Sequence, residues 1–139
     1  MEVVCHSMAL TQAARRVEVL YDQALAPTGL RAAQYQLLAT IAAIGPIELS
    51  ALARVMVLDR RPLAAQLRPL VDDGLVVYAD AERRTRVVSV TTRGKRLARR
   101  GERLWQSAQA HFESAIGPAR ANALRARLHD VIHADLGTV

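Results

Sequence analysis

Apolar residues recur at helical spacing through most of the chain. From about Met8 to Leu25 they fall at Leu10, Ala13, Ala14, Val17, Leu20, Tyr21, Ala24 and Leu25, and Pro27 and Gly29 stop the run. A second helix is predicted from about Arg31 to Ile44, with Tyr35, Leu37, Leu38 and Ile41 apolar, before Gly45-Pro46 breaks the chain. A short third helix, about Glu48 to Val55, buries Leu49, Leu52 and Ala53. A fourth begins at Arg60, behind Asp59 as N-cap and with Pro62 in its first turn, where a missing N–H costs little. Leu63, Leu67 and Leu70 share one of its faces, and Gly74 closes it. Pro69 removes one backbone hydrogen bond, yet Leu70 and Val71 keep the apolar spacing, so it predicts a bend rather than an end.

The pattern then changes. Leu75 to Tyr78 and Val87 to Thr91 are β-branched-rich runs with AERRTR between them, which predicts a hairpin. Thr91 or Thr92 caps a long helix from about Arg93 to Ser114, with Leu97, Leu104, Trp105, Ala108 and Phe112 as its stripe. Gly117-Pro118 ends it, and a last helix over about Ala119 to Ala134 carries Ala123, Leu124, Leu128, Val131 and Ile132. Residues 1–7 read as a frayed end.

The expected fold is mainly α with a small β-hairpin wing, in one domain spanning 1–139. Two short helices joined by a tight turn, then a hairpin, make a winged helix-turn-helix at about 31–92. Its second helix enters a major groove and its hairpin reaches the adjacent backbone or minor groove. The long helices at about 8–26 and 93–135 exceed what one short chain covers. They are expected to pair two copies, setting two reading heads ~34–36 Å apart on a two-fold axis.

Charge sharpens this picture. The formal net charge is +6, and ten Arg and one Lys against five acidic residues between Asp59 and Arg100 supply all of it. A localised basic field favours phosphate binding. Candidate DNA contacts are Arg60, Arg61 and Arg68 with Ala64 and Ala65 on the groove helix, and Arg83, Arg84 and Arg86 on the wing; Gln66 lies nearer the core. The 4% aromatic content asks for a core of Ala, Leu and Val, which suits packed helices. The single cysteine, Cys5, excludes an intrachain disulfide. No apolar run approaches the ~20 residues of a membrane span. MEVVCHSMAL lacks the pattern of a signal peptide, so a cytoplasmic location is expected.

Three segments in order, LYDQALAPTGLRAAQYQLLATI, IELSALARVMVLDRRPLAAQLRPLVDDGLV and ERRTRVVSVTTRG, resemble the MarR family (multiple antibiotic resistance regulators). Glu82-Arg83-Arg84 and Val90-Thr91 match its wing signature, and the likeness runs from about Leu10 to the C-terminus. It implies a homodimeric winged-helix transcription regulator that binds palindromic double-stranded operators, often as a repressor released by a small ligand or by oxidation. The chain departs from the pattern at Ala64 and Ala65, where relatives commonly carry Thr-Arg, and in a wing about two residues short. Different operator specificity is therefore expected.

Relatives bind aromatic acids and phenols between the dimerisation helices and the DNA-binding lobe. Here Met8, Tyr21, Tyr35 and Trp105 either line such a cavity or simply pack as core. Some relatives sense peroxides through a cysteine near the first helix. In register that position is Ser7, and Cys5 has only His6 as a basic neighbour, so an ordinary free thiol is expected. His129 and His133 are one turn apart, but two ligands do not make a zinc site. Neither a metal nor a cofactor is expected, and no nucleophile, base or phosphate loop is arranged for an enzyme. The rival to DNA binding is a winged-helix module whose basic face docks an acidic protein.

Overall fold

The computed structural model describes residues 4–81 and 85–137, with side chains at all of these but Asp80, Ala81 and Thr85. Its elements are α1 (His6–Leu25), α2 (Ala32–Ile44), β1 (Ile47–Glu48), α3 (Leu49–Met56), α4 (Arg60–Asp72), β2 (Val76–Ala81), β3 (Thr85–Val90), α5 (Thr92–Ile116) and α6 (Pro118–His133). Every predicted helix is present. A 3-10 turn, Ala26–Thr28, follows α1 and ends at Gly29, whose φ of 76° suits a residue without Cβ.

Three local expectations are corrected. The chain is helical from His6 rather than frayed to residue 7, because Cys5 caps α1: its backbone is extended and its Sγ accepts the Met8 N–H at 3.5 Å. The strands are longer than predicted, because pairing continues through Asp80↔Arg86 and Ala81↔Thr85, where the polar sequence has no alternation. A third strand, β1, pairs Ile47 with Val88 and Glu48 with Val87, giving the antiparallel order β1-β3-β2. Two residues are too few for any periodicity to announce them.

The core lies where α2, α3, α4 and the sheet meet. Leu37, Leu38, Ile41, Leu52, Leu63, Leu67, Leu70, Val76 and Val88 are fully buried there, joined by Leu25 from the end of α1. Among the described residues no buried side chain is charged or polar. Pro69 sits within α4, which continues to Asp72. Gly74 follows at φ 71° and turns the chain into β2.

Three joints fix the lobe to the long helices. Asp22 of α1 accepts the N–H of Ala32 at 2.6 Å and faces Arg31 at 3.7 Å, holding the start of α2. Tyr35 of α2 donates its hydroxyl to the Ala98 carbonyl of α5 at 2.7 Å, and a Cβ on Gly101 would strike the Tyr35 ring. Thr91 donates its hydroxyl to the Gly74 carbonyl at 2.6 Å and its N–H to the Leu75 carbonyl at 3.0 Å. The same hydroxyl caps α5 by accepting the Gly94 N–H at 3.0 Å.

The outer helices differ from the lobe. α1 buries only Leu25, and α6 only Ala121. Leu10 and Val19 on α1, and Leu124, Leu128, Val131 and Ile132 on α6, are exposed. No described helix is long and apolar enough to cross a membrane.

Candidate nucleic-acid interface

The candidate interface is built on α4. Its backbone cap is Asp59, extended at φ −72° and ψ 158°, whose side chain makes no capping hydrogen bond. Leu63, Leu67 and Leu70 are fully buried and fix how the helix is rotated. With about 100° per residue, the direction opposite that leucine face falls on Arg61, Ala65 and Arg68. All three are exposed, as are Arg60 and Ala64 on the flank; Gln66 is half-buried. Among the described residues none of Arg60, Arg61 and Arg68 is in an ion pair.

The turn into α4 carries an unforeseen feature. Val57 has φ 53° and ψ 49°, and among the described residues it alone combines a side chain with positive φ. Its N–H donates to the Arg54 carbonyl at 3.2 Å, and the Leu58 N–H donates to the Ala53 carbonyl at 2.9 Å. A β-branched residue in the left-handed region costs roughly 1–2 kcal/mol. The sequence signal was a Val where the α3–α4 turn favours Gly.

On the wing, Arg86 is exposed, and its guanidinium lies 5.0 Å from the Tyr78 ring centroid on the neighbouring strand. This is within the range of a cation–π contact. Arg83 and Arg84 lie outside the described residues.

The aromatic candidates are partly gathered. Trp105 lies 4.4 Å from Tyr21 and 5.4 Å from Tyr35, centroid to centroid. Burial pushes both tyrosine hydroxyls above their usual range, with Glu113 adding to the effect at Tyr21 and Glu102 at Tyr35. Met8 does not join them. It is exposed near the start of α1, thirteen residues before Tyr21, or about 20 Å along the helix.

An open groove of about 740 Å³ runs between α2 and α5, with Tyr35 and Trp105 at its base and Ala39, Thr40, Lys95 and Arg99 on its walls. Tyr21 does not line it. Lys95 and Arg99 were missed as groove residues; their i, i+4 spacing on α5 was the available signal.

Cys5 is exposed and serves as a helix cap. His129 and His133 stack with ring centroids 6.1 Å apart, and no group of three metal-ligating side chains occurs among the described residues.

No protein-family profile and no curated protein matches the chain. Solved structures do. The Mycobacterium tuberculosis transcriptional regulator MosR, in complex with DNA, is 26% identical, with 94% of this chain and 100% of that one covered and a TM-score of 0.78. A mutant of MarR from Escherichia coli complexed with operator DNA is 22% identical, with 90% and 91% covered and a TM-score of 0.82. CouR from Rhodococcus jostii RHA1 bound to p-coumaroyl-CoA is 23% identical, with 95% and 94% covered and a TM-score of 0.78. The helix order, the three-stranded wing sheet and these neighbours agree: the chain is a winged-helix protein with the fold of the MarR-family transcription regulators.

Proposed function

We propose that this chain is a homodimeric DNA-binding transcription regulator of MarR type. In this reading it acts as a repressor of a palindromic operator and is released by a small effector. One observation carries the reading: the exposed face of α4 bears Arg60, Arg61 and Arg68, without ion-pair partners among the described residues, on a helix clamped by three fully buried leucines. A rigid helix with free guanidiniums suits a major groove, and the wing's Arg86 suits the backbone beside it. The bare apolar stripe of α6, with exposed Leu10 and Val19 on α1, supports pairing of two copies, which would present two such helices to successive grooves. The groove between α2 and α5 supports an aromatic effector bearing negative charge, since Tyr35 and Trp105 offer ring faces and the cations Lys95 and Arg99 outnumber the one carboxylate, Glu102, in its lining. Such a ligand acts only by binding one spacing of the reading heads better than another.

The experiment is selection of bound fragments from the source genome, followed by anisotropy titration at several salt concentrations with heparin as competitor. A DNA regulator retains a palindromic fragment selectively, and the logarithm of its affinity falls linearly with log salt. Displacement by heparin with no preference among duplexes would support docking of an acidic partner instead. A thermal-shift screen with aromatic carboxylates tests the effector.

A further inference from the structure

We propose that α4 recognises a thymine through its C5-methyl group, using Ala65 with Ala64 beside it, between two guanines taken by Arg61 and Arg68. This rests on the DNA-binding reading above and specifies what that surface selects.

The argument begins with rotation. The buried triad Leu63, Leu67 and Leu70 sets which way α4 faces, and Arg61, Ala65 and Arg68 lie within about 60° of one another on the far side. That stripe faces a groove floor. Arg60 is about 100° away from Arg61, which places it at the rim, where phosphates lie. From Arg61 to Arg68 is about 10 Å along the helix, roughly three base-pair steps of 3.4 Å. The stripe therefore spans a short run of bases and ends there. Asp72 continues the same line one turn later and is exposed, followed by exposed Asp73, and carboxylates are repelled by the phosphate backbone. Only the first two and a half turns of α4 suit the groove.

Within that run the chemistry is asymmetric. Arg61 and Arg68 each offer a fork of donors, which matches the paired acceptors O6 and N7 of guanine. Ala64 and Ala65 offer no donor or acceptor at all. Two adjacent methyl side chains let the helix backbone approach closely at mid-stripe and present only apolar surface. The one apolar feature of the major groove is the thymine methyl. A cytosine or adenine amino group placed there would lose water and gain no partner. The half-site this surface selects is thus a thymine flanked, within one or two base pairs on each side, by guanines on either strand.

The test uses the full chain and duplexes chosen from a random pool. Each dT of the selected half-site is replaced singly by dU, which removes only the methyl, and each dG by 7-deazaguanine, which removes one acceptor. The expected result is one thymine per half-site at which dU weakens binding about fourfold, flanked by guanines that do not tolerate the deaza base. Ala65→Gly should bind the dT and dU duplexes equally. Selective binding indifferent to every dU replacement would overturn the methyl assignment and leave the regulator reading standing. Sensitivity undiminished in Ala65→Gly would overturn the role of Ala65. Retention of duplexes with no sequence preference would overturn the regulator reading and this proposal together. Should the glycine variant fold poorly, the dU series on the unaltered chain still decides the case.

Discussion

The lobe formed by α2, α3, α4 and the sheet and the arms formed by α1 and α6 are made from similar residues and end in opposite states. In the lobe, aliphatic side chains from five elements close on one another and nine of them are fully buried, with Leu25 from the end of α1 as a tenth. In the arms, Leu124, Leu128, Val131 and Ile132 of α6 repeat at helical spacing just as regularly and remain exposed, as do Leu10 and Val19 of α1. Amphipathic periodicity thus identifies a face that must be covered and says nothing of what covers it. The lobe finds its cover within one chain; the proposed function assigns the arms to a second copy.

The sharpest way to break the contrast is to charge the arms. Leu124→Glu with Leu128→Glu should leave the lobe's unfolding midpoint nearly unchanged, turn the dimer into a monomer by sedimentation, and weaken operator binding about a hundredfold or more, since linked reading heads gain at least that from avidity. A dimer that survived this pair would assign the apolar face of α6 another role. Next comes the lobe itself. Leu67→Ala empties a fully buried site under the reading helix and should cost about 2–5 kcal/mol in urea unfolding.

Glycine positions give smaller effects. A Cβ on Gly94 would strike the Leu75 carbonyl oxygen, a backbone atom with no easy retreat, so Gly94→Ala should cost about 1–3 kcal/mol despite the better helix propensity of Ala. Gly101→Ala meets the Tyr35 ring, a side chain, and should cost less while loosening α2 from α5. At the reading helix's own turn the sign reverses: Val57→Gly should stabilise the lobe by about 1 kcal/mol, measured as a rise in melting temperature, because its φ of 53° no longer opposes a branched side chain. The weakest effect is alkaline. Tyr21 and Tyr35 have raised pKa values in the folded chain, so their contribution is intact below about pH 10 and declines as pH climbs through the raised values. Tyr35→Phe should remove part of that decline and also the bond to Ala98.

Much of this was legible in the sequence, for identifiable reasons. The helices were readable because long stripes such as Leu63, Leu67 and Leu70 repeat several times, and their ends because Gly45-Pro46, Gly74 and Gly117-Pro118 punctuate them. The Cys5 cap was missed because cysteine seldom plays that part. β1 was missed because Ile47–Glu48 exists only through its partners on β3. Of the pocket candidates, the rings of Tyr21, Tyr35 and Trp105 come together, though Tyr21 does not line the groove; Met8 sits too far up α1 to reach them. The exposure of Arg60, Arg61 and Arg68 on α4 was readable from their register opposite the buried leucines. Those at 83 and 84 fall outside the described residues.

The bonds around Thr91 have a mechanical corollary. A single threonine grips the carbonyls that close α4 and, with the same hydroxyl, the first turn of α5. Gly94 is packed against that junction too closely for slippage. The turn that leaves the groove helix and the start of the longest helix are therefore pinned together at one residue, as by a rivet.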